Sequence, residues 1–254
     1  MFAKKPELAD CLVIIPTFNE IENIEAILRE IFATPGKFNV LVVDDNSPDE
    51  TAKCVQELQG EFKERLFLEI RRKKSGLGTA YIHGFKWALN NNYTYIFEMD
   101  ADFSHNPEDL PRLYEACATH GADVAIGSRY IKGVNVVNWP MTRVLMSWFA
   151  SKYVKLITGI PIQDTTAGFV CFHRKVLESI NLDDVQFVGY AFQIEMKFKA
   201  YLKNFEIIEI PVIFTDRVLG ESKLDNSIVY EAIFGVIKMK VKSWFGREVR
   251  TRKK

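Results

Sequence analysis

Residues 11–50 read CLVIIPTFNEIENIEAILREIFATPGKFNVLVVDDNSPDE. Two short apolar runs, Leu12–Ile15 and Val40–Val43, flank a segment with apolar side chains at Ile21, Ile24, Ile27, Leu28 and Ile31. The runs have the length and unbroken hydrophobicity of strands buried on both faces. The spacing between them predicts a helix over 20–33. Both runs close in polar residues, Thr17-Phe18-Asn19-Glu20 after Pro16 and Asp44-Asp45 after Val43. Ser47-Pro48-Asp49-Glu50 then reads as a capped helix start with proline in the first turn.

The same alternation continues outward. Leu66–Ile70 reads as a third strand, and Gly76-Leu77-Gly78 leads into a helix over 79–90. Tyr95–Met99 is a fourth strand ending at Asp100, Asn106-Pro107-Glu108-Asp109 opens another helix, and Asp123–Ile126 is a fifth strand. A β-α-β-α order over 11–127 implies an α/β fold, a mostly parallel sheet with helices on both faces. In the less regular second half, Phe169–Phe172 and Ile207–Phe214 read as strands and Tyr190–Tyr201 as a helix. The expected organisation is one domain over 1–225, then an amphipathic helix and a basic tail over 226–254.

Composition excludes several classes. Of 254 residues 33 are basic and 33 acidic, with 48% hydrophobic, so disordered and fibrous chains are ruled out. Zero net charge argues against a nucleic-acid partner, which needs a basic footprint. That zero is a sum of unlike parts, since residues 238–254 carry eight basic side chains against Glu248. Cys11, Cys54, Cys117 and Cys171 are widely spaced and form no metal or disulfide pattern, so reduced thiols in a cytoplasmic protein are expected. Met-Phe-Ala-Lys-Lys-Pro-Glu at the N-terminus has no apolar run, so no signal peptide is expected. The longest apolar stretches are broken by charge, 144–160 by Lys152 and Lys155 and 228–245 by Glu231 and three lysines, so no membrane span is expected.

Acidic residues gather where strands end, and open α/β sheets bind ligands beyond those ends. Asp100-Ala101-Asp102 offers two carboxylates that a turn can aim to one side, an oxygen donor set suited to Mg²⁺ or Mn²⁺ on substrate phosphates. A solvated turn is the alternative on spacing alone. With Glu20, Asp44 and Asp45 nearby, so many carboxylates in one crevice favour a cation, because like charges raise one another's pKa. Neither a dinucleotide fingerprint nor a P-loop is present.

These blocks resemble the family-2 glycosyltransferases of GT-A fold, and most of all the dolichyl- and polyprenyl-phosphate mannosyltransferases. The likeness runs from Ile15-Pro16-Thr17-Phe18-Asn19-Glu20 through Val43-Asp44-Asp45 and the G-L-G-T-A-Y-I-H-G block at 76–84. It continues through Met99-Asp100-Ala101-Asp102, Gly127-Ser128-Arg129-Tyr130, G-Y-A-F-Q-I-E-M at 189–196 and D-R-V-L-G-E-S-K at 216–223. The resemblance implies that Pro16, Phe18, Glu20, Val43 and Asp45 hold the nucleotide. It gives Asp100 and Asp102 the metal, with Ala101 beside them, and Arg129, Arg217 and Lys223 the phosphates. Asp102, Arg129 and Arg217 are its catalytic candidates. Phe18 stands where the family often has Tyr, and Ser104 where some members have Gln, which leaves a third protein ligand open.

The implied reaction is inverting, metal-dependent transfer of mannose from GDP-mannose to a polyprenyl (dolichyl) monophosphate. Another sugar on the same lipid, a nucleotide-sugar-binding module and a polysaccharide transferase are the competing readings, and the intact D-x-D and D-R-V-L-G-E-S-K blocks count against the module. A lipid monophosphate is already anionic, so cations that position it matter more than a general base. His83 and His105 read as structural.

Such an acceptor lives in a bilayer. At 100° per residue, Val229, Ile233, Val236, Ile237 and Trp244 share one face, while Glu231, Lys238 and Lys242 oppose it. Lys240 falls within the apolar face, where it could snorkel. An interfacial helix with a basic tail is one reading, and a core-packing helix is the other. Residues 144–160 form a second candidate contact. Peripheral placement on the cytoplasmic face of a membrane follows from the first reading, and relatives that rely on a small membrane-spanning partner subunit extend the expectation to such a partner.

Overall fold

The computed structural model describes residues 10–189, 191–216 and 226–245. Five strands appear where the apolar runs place them: β1 (Cys11–Thr17), β2 (Asn39–Asp44), β3 (Leu66–Ile70), β4 (Tyr95–Glu98) and β5 (Val124–Ser128). Between them lie α1 (Ile24–Ala33), α2 (Thr51–Gln59), α3 (Leu77–Asn90) and α4 (Leu110–Ala118). The remainder is β6 (Val136–Val137), α5 (Met141–Thr158), β7 (Val170–His173), α6 (Arg174–Ser179), α7 (Ala191–Leu202), β8 (Ile207–Pro211), β9 (Phe214–Thr215) and α8 (Asn226–Phe245).

The main sheet has the order β3-β2-β1-β4-β7-β5-β8. All its neighbours run parallel except β7, which is antiparallel to both β4 and β5. β6 and β9 make a small separate parallel pair. Alternate residues of the central strands feed two cores. Val13, Ile15, Val40, Val42 and Phe97 face α1, α2 and α4, while Leu12, Ile14, Leu41, Val43 and Ile96 face α3, α6 and α7. A strand with no polar face is what a sheet covered on both sides requires.

The order reverses between β1 and β4. From β1 the chain steps outward to β2 and β3, then returns to pair β4 on the other side of β1. This is the topological switch point, where strand ends splay and leave a crevice. The ends are stitched there: the Asp45 N–H donates to the Thr17 carbonyl at 3.0 Å, Arg71 N–H to the Asp44 carbonyl at 2.8 Å and Met99 N–H to the Ile14 carbonyl at 3.2 Å.

Three boundaries differ from expectation for local reasons. Residues 20–23 form a turn before α1, with the amides of Asn23 and Ile24 both donating to the Glu20 carbonyl. Pro48 is not in the first turn of α2. Asp44 instead accepts from the amide and hydroxyl of Ser47 at 2.8 and 2.6 Å, and Asp49 accepts from Thr51, so the helix starts at Thr51. The expected strand over 207–214 breaks after Pro211, and Phe214–Thr215 leaves for the second sheet.

The G-L-G-T-A-Y-I-H-G block serves packing. A Cβ at Gly84 would lie 2.7 Å from Ile14 Cγ2, and one at Gly78 would lie 2.8 Å from both the Phe187 carbonyl and Phe192 Cγ. Only glycine lets α3 sit this close to β1 and α7.

Candidate active site

Asp100 and Asp102 follow β4 directly, at the switch point. The Asp100 side chain is 37% exposed and faces the crevice, with Tyr81 Oη 3.4 Å from Oδ1. Asp102 is buried, and its Oδ1 accepts from the amide and hydroxyl of Ser104 at 3.2 and 2.6 Å. Ser104 is thus the residue that orients the second carboxylate. Ala101 is buried between them.

His105 lies beneath this turn. Its Nδ1 accepts the Asp100 N–H at 3.1 Å, and its ring stacks on Phe169 with centroids 5.0 Å apart. Burial, reinforced by Arg129 against the pull of Asp102, lowers its pKa to about 4. A neutral imidazole with an accepting Nδ1 fixes backbone here, the structural role expected for it.

The nucleotide candidates line the other bank. Asp45 is buried and fully engaged: Arg71 Nε donates to Oδ1 at 2.5 Å and the Ser75 amide to Oδ2 at 3.4 Å. Arg71 Nη1 also reaches Thr79 Oγ1 at 2.8 Å, while Nη2 is buried with no hydrogen-bond partner among the described residues. Phe18 is half-buried, with Lys74 Nζ 4.4 Å from its ring centre. Glu20 accepts from Asn23 Nδ2 at 3.3 Å, and its amide donates to Thr51 Oγ1. The Val43 side chain is sunk in the core, so a ligand contact there falls to its backbone. Pro16 pairs with Val43 in the sheet.

Arg129 is buried. Its Nε and Nη2 form a two-pronged bond with Asp164 at 2.7 and 2.6 Å, its own amide donates to Asp164 Oδ2, and Nη2 also reaches Thr166. Its guanidinium carbon lies within about 5.5 Å of the Tyr130, Trp139 and Phe214 rings. Any phosphate contact would have to be made by a guanidinium already holding Asp164. Arg217 and Lys223 lie outside the described residues.

Arg71, Asp164 and Tyr81 are site neighbours that sequence reasoning passed over. Arg71 carried a signal, a cation at the end of β3 beside the acidic ends of β1 and β2. Asp164 carried none, because its partner is 35 residues away.

Two hard-oxygen carboxylates at the crevice suit Mg²⁺ or Mn²⁺ in the way such ions bind with phosphates, through one or two protein ligands. Among the described residues no group of three His, Cys, Asp or Glu side chains could hold a metal, so further ligands would come from substrate oxygens or water.

A mostly parallel sheet with helices on both faces and a crevice at its switch point is the architecture of the GT-A fold. A mannosyltransferase from Pyrobaculum calidifontis, solved with GDP-Man and Mn²⁺, shares the fold at a TM-score of 0.56 and 17% identity, over 94% of this chain and 75% of that one. The chain belongs to glycosyl transferase family 2, whose model matches residues 12–180. It is 44% identical over 225 residues to the polyprenol monophosphomannose synthase of Mycolicibacterium smegmatis, covering 89% of this chain and 84% of the relative. It is 42% identical over 240 residues to the undecaprenyl-phosphate mannosyltransferase of Micrococcus luteus, covering 94% and 98%.

Proposed function

We propose that this enzyme transfers a mannosyl group, with inversion, from GDP-mannose to a polyprenyl monophosphate. The observation that carries the reading is the carboxylate pair at the switch point, in a chain 42–44% identical to enzymes named for that lipid reaction.

Asp100 and Asp102 would hold Mg²⁺ or Mn²⁺, which when bound neutralises charge on the departing diphosphate. Phe18 stacks on the base, and Asp45, held by Arg71, accepts from base or ribose, with Pro16, Glu20 and Val43 completing the slot. Asp164 orients Arg129 beside the site, and Arg217 and Lys223 supply phosphate contacts. The acceptor's phosphate oxygen attacks the anomeric carbon as the bond from that carbon to the diphosphate oxygen breaks, and GDP leaves. The nucleophile is anionic already, so no side chain need take a proton.

The test is a panel of labelled nucleotide sugars with polyprenyl phosphate and Mn²⁺. Label in the lipid phase from GDP-mannose is expected, and label from another donor alone would sink the mannose assignment. Phe18→Ala should raise the KM for GDP-mannose about tenfold and leave kcat nearly unchanged, since base–aromatic stacking is worth roughly 1–3 kcal/mol. An unchanged KM would remove Phe18 from the base slot.

The enzyme would meet its acceptor at a membrane surface through α5 and α8. Among the described residues no helix is long and apolar enough to cross a bilayer. Yet α5 exposes Met141, Met146, Phe149 and Leu156, and α8, which packs on α5 and α7, exposes Phe234. Of the apolar face expected on α8, Val236 is buried against Val154 and Ile194 and Ile237 stays exposed, while the side chains of Val229, Ile233 and Trp244 lie outside those described. Lys240 does not snorkel outward. Its Nζ caps the C-terminal end of α5 at the Thr158 carbonyl, 3.0 Å away. The Met146→Glu/Phe149→Glu double variant should lose most binding to anionic vesicles while keeping turnover on a short, water-soluble polyprenyl phosphate. Undiminished vesicle binding would move the contact elsewhere. The basic tail at 246–254 lies outside the described residues, and its deletion is the companion measurement.

A further inference from the structure

Behind the carboxylate turn lies a buried polar cluster that the transfer reaction does not touch. Lys197 and Gln193 stand one turn apart on α7, and Glu98 is the last residue of β4, two before Asp100. Lys197 and Glu98 are fully buried, and Gln193 and Thr165 nearly so. Lys197 Nζ donates to the carbonyls of Thr165 and Ala167 at 3.2 and 2.5 Å. Its charge faces Glu98 and Asp164. Thr165 Oγ1 is buried without a hydrogen-bond partner among the described residues, and the Glu98 carboxyl and the Gln193 amide are buried facing each other, with no bond of good geometry to either.

This is a costly way to fill a core. Ionisable side chains taken out of water are expensive to bury, and unpartnered polar atoms add to the cost. Stability therefore does not explain it, whereas its position does. The cluster ties three parts of the site together. Glu98 belongs to the strand that delivers Asp100. Lys197 grips the 164–168 segment that carries Asp164 and, through it, Arg129. A Cβ at Gly168 would lie 3.6 Å from His105 Cε1 and 3.9 Å from Gln193 Nε2, so the Gln193 amide and the imidazole that accepts the Asp100 N–H both border Gly168.

We propose that Glu98, Gln193 and Lys197 are positioning residues, a buried brace that fixes the Asp100–Asp102 turn against the 164–168 segment and so sets the geometry at which the divalent cation binds. The proposal rests on the reading that Asp100 and Asp102 hold that cation. Groups that orient metal ligands from behind typically contribute 10–100-fold to affinity or activity.

The test measures Mn²⁺ affinity in the presence of GDP, from the electron paramagnetic resonance signal of free Mn²⁺, alongside the melting temperature and kcat. The proteins are wild type, Asp102→Asn, and the double variant Glu98→Gln/Lys197→Met, which removes both buried ionisable groups together. The double variant should melt cooperatively near wild type, bind Mn²⁺ about tenfold more weakly and lose kcat by a similar factor. Wild-type affinity and kcat in the double variant, with Mn²⁺ binding weakened in Asp102→Asn, would overturn the brace alone. Wild-type affinity in Asp102→Asn would overturn the metal reading, and the brace with it. If the double variant does not fold, Gln193→Leu, which removes no charge, carries the same test, with weaker Mn²⁺ binding expected and unchanged binding overturning the proposal.

Discussion

Asp102→Asn is expected to lower mannosyl transfer by about three orders of magnitude while leaving the fold intact. Asparagine keeps the size of aspartate and a carbonyl oxygen, so the amide and hydroxyl of Ser104 retain their acceptor. What disappears is one of the two anionic ligands proposed for the cation that would offset charge on the departing diphosphate. A metal used as a Lewis acid is worth several kcal/mol of transition-state stabilisation, and ~4 kcal/mol is about a thousandfold in rate. Single-turnover transfer from GDP-mannose at saturating Mn²⁺ measures it. Activity within tenfold of wild type would mean that the cation is held elsewhere.

The Asp102 prediction was available from the sequence because a strand end is a local feature. Apolar runs four or five residues long mark strands buried on both faces, and the polar residues after them must lie at the carboxyl rim. β3 has the predicted bounds, β1, β2 and β4 fall within a few residues of theirs, and their acidic ends lie along the carboxyl rim of one sheet. Starts of α1 and α2 were misread because side chains capture backbone amides there: Asp49 accepts from the Ile21 and Thr51 amides, which periodicity does not report.

Direction and distance were harder to read. The antiparallel run of β7 depends on how α5 and the segment after it return the chain, and no pattern within Val170–His173 records that path. Lys240 looked like a snorkelling residue because its neighbours are apolar. Its actual partner, the carbonyl end of α5, is 82 positions away. The family block points to Arg129 as a phosphate contact and is silent on Asp164, the partner that holds its guanidinium. Sequence proximity finds the crevice; the charges that brace it come from segments far along the chain.

That bracing gives the largest expected stability effect. Asp164 is fully buried, as is its bond with Arg129. Asp164→Ala leaves an uncompensated guanidinium in the core, a change that costs about 3–5 kcal/mol. For a chain of this size that lowers the melting temperature by roughly 10 °C. Replacing both partners, as in Arg129→Met/Asp164→Leu, should restore much of the loss, because the penalty is that of a lone buried charge rather than of the missing bond. The effect also has a pH signature. Burial alone would raise the Asp164 pKa, but the Arg129 charge and hydrogen bonds overcome it and hold the carboxyl below its ordinary value. A depressed folded-state pKa contributes stability that is fully present above the unfolded value, near 4, and is lost as pH falls through the folded one. Urea melts of wild type and Asp164→Ala should therefore differ most at neutral pH and converge as the medium is acidified below about pH 4. A gap that stayed constant into acid would mean that the ion pair is not what holds this corner of the site.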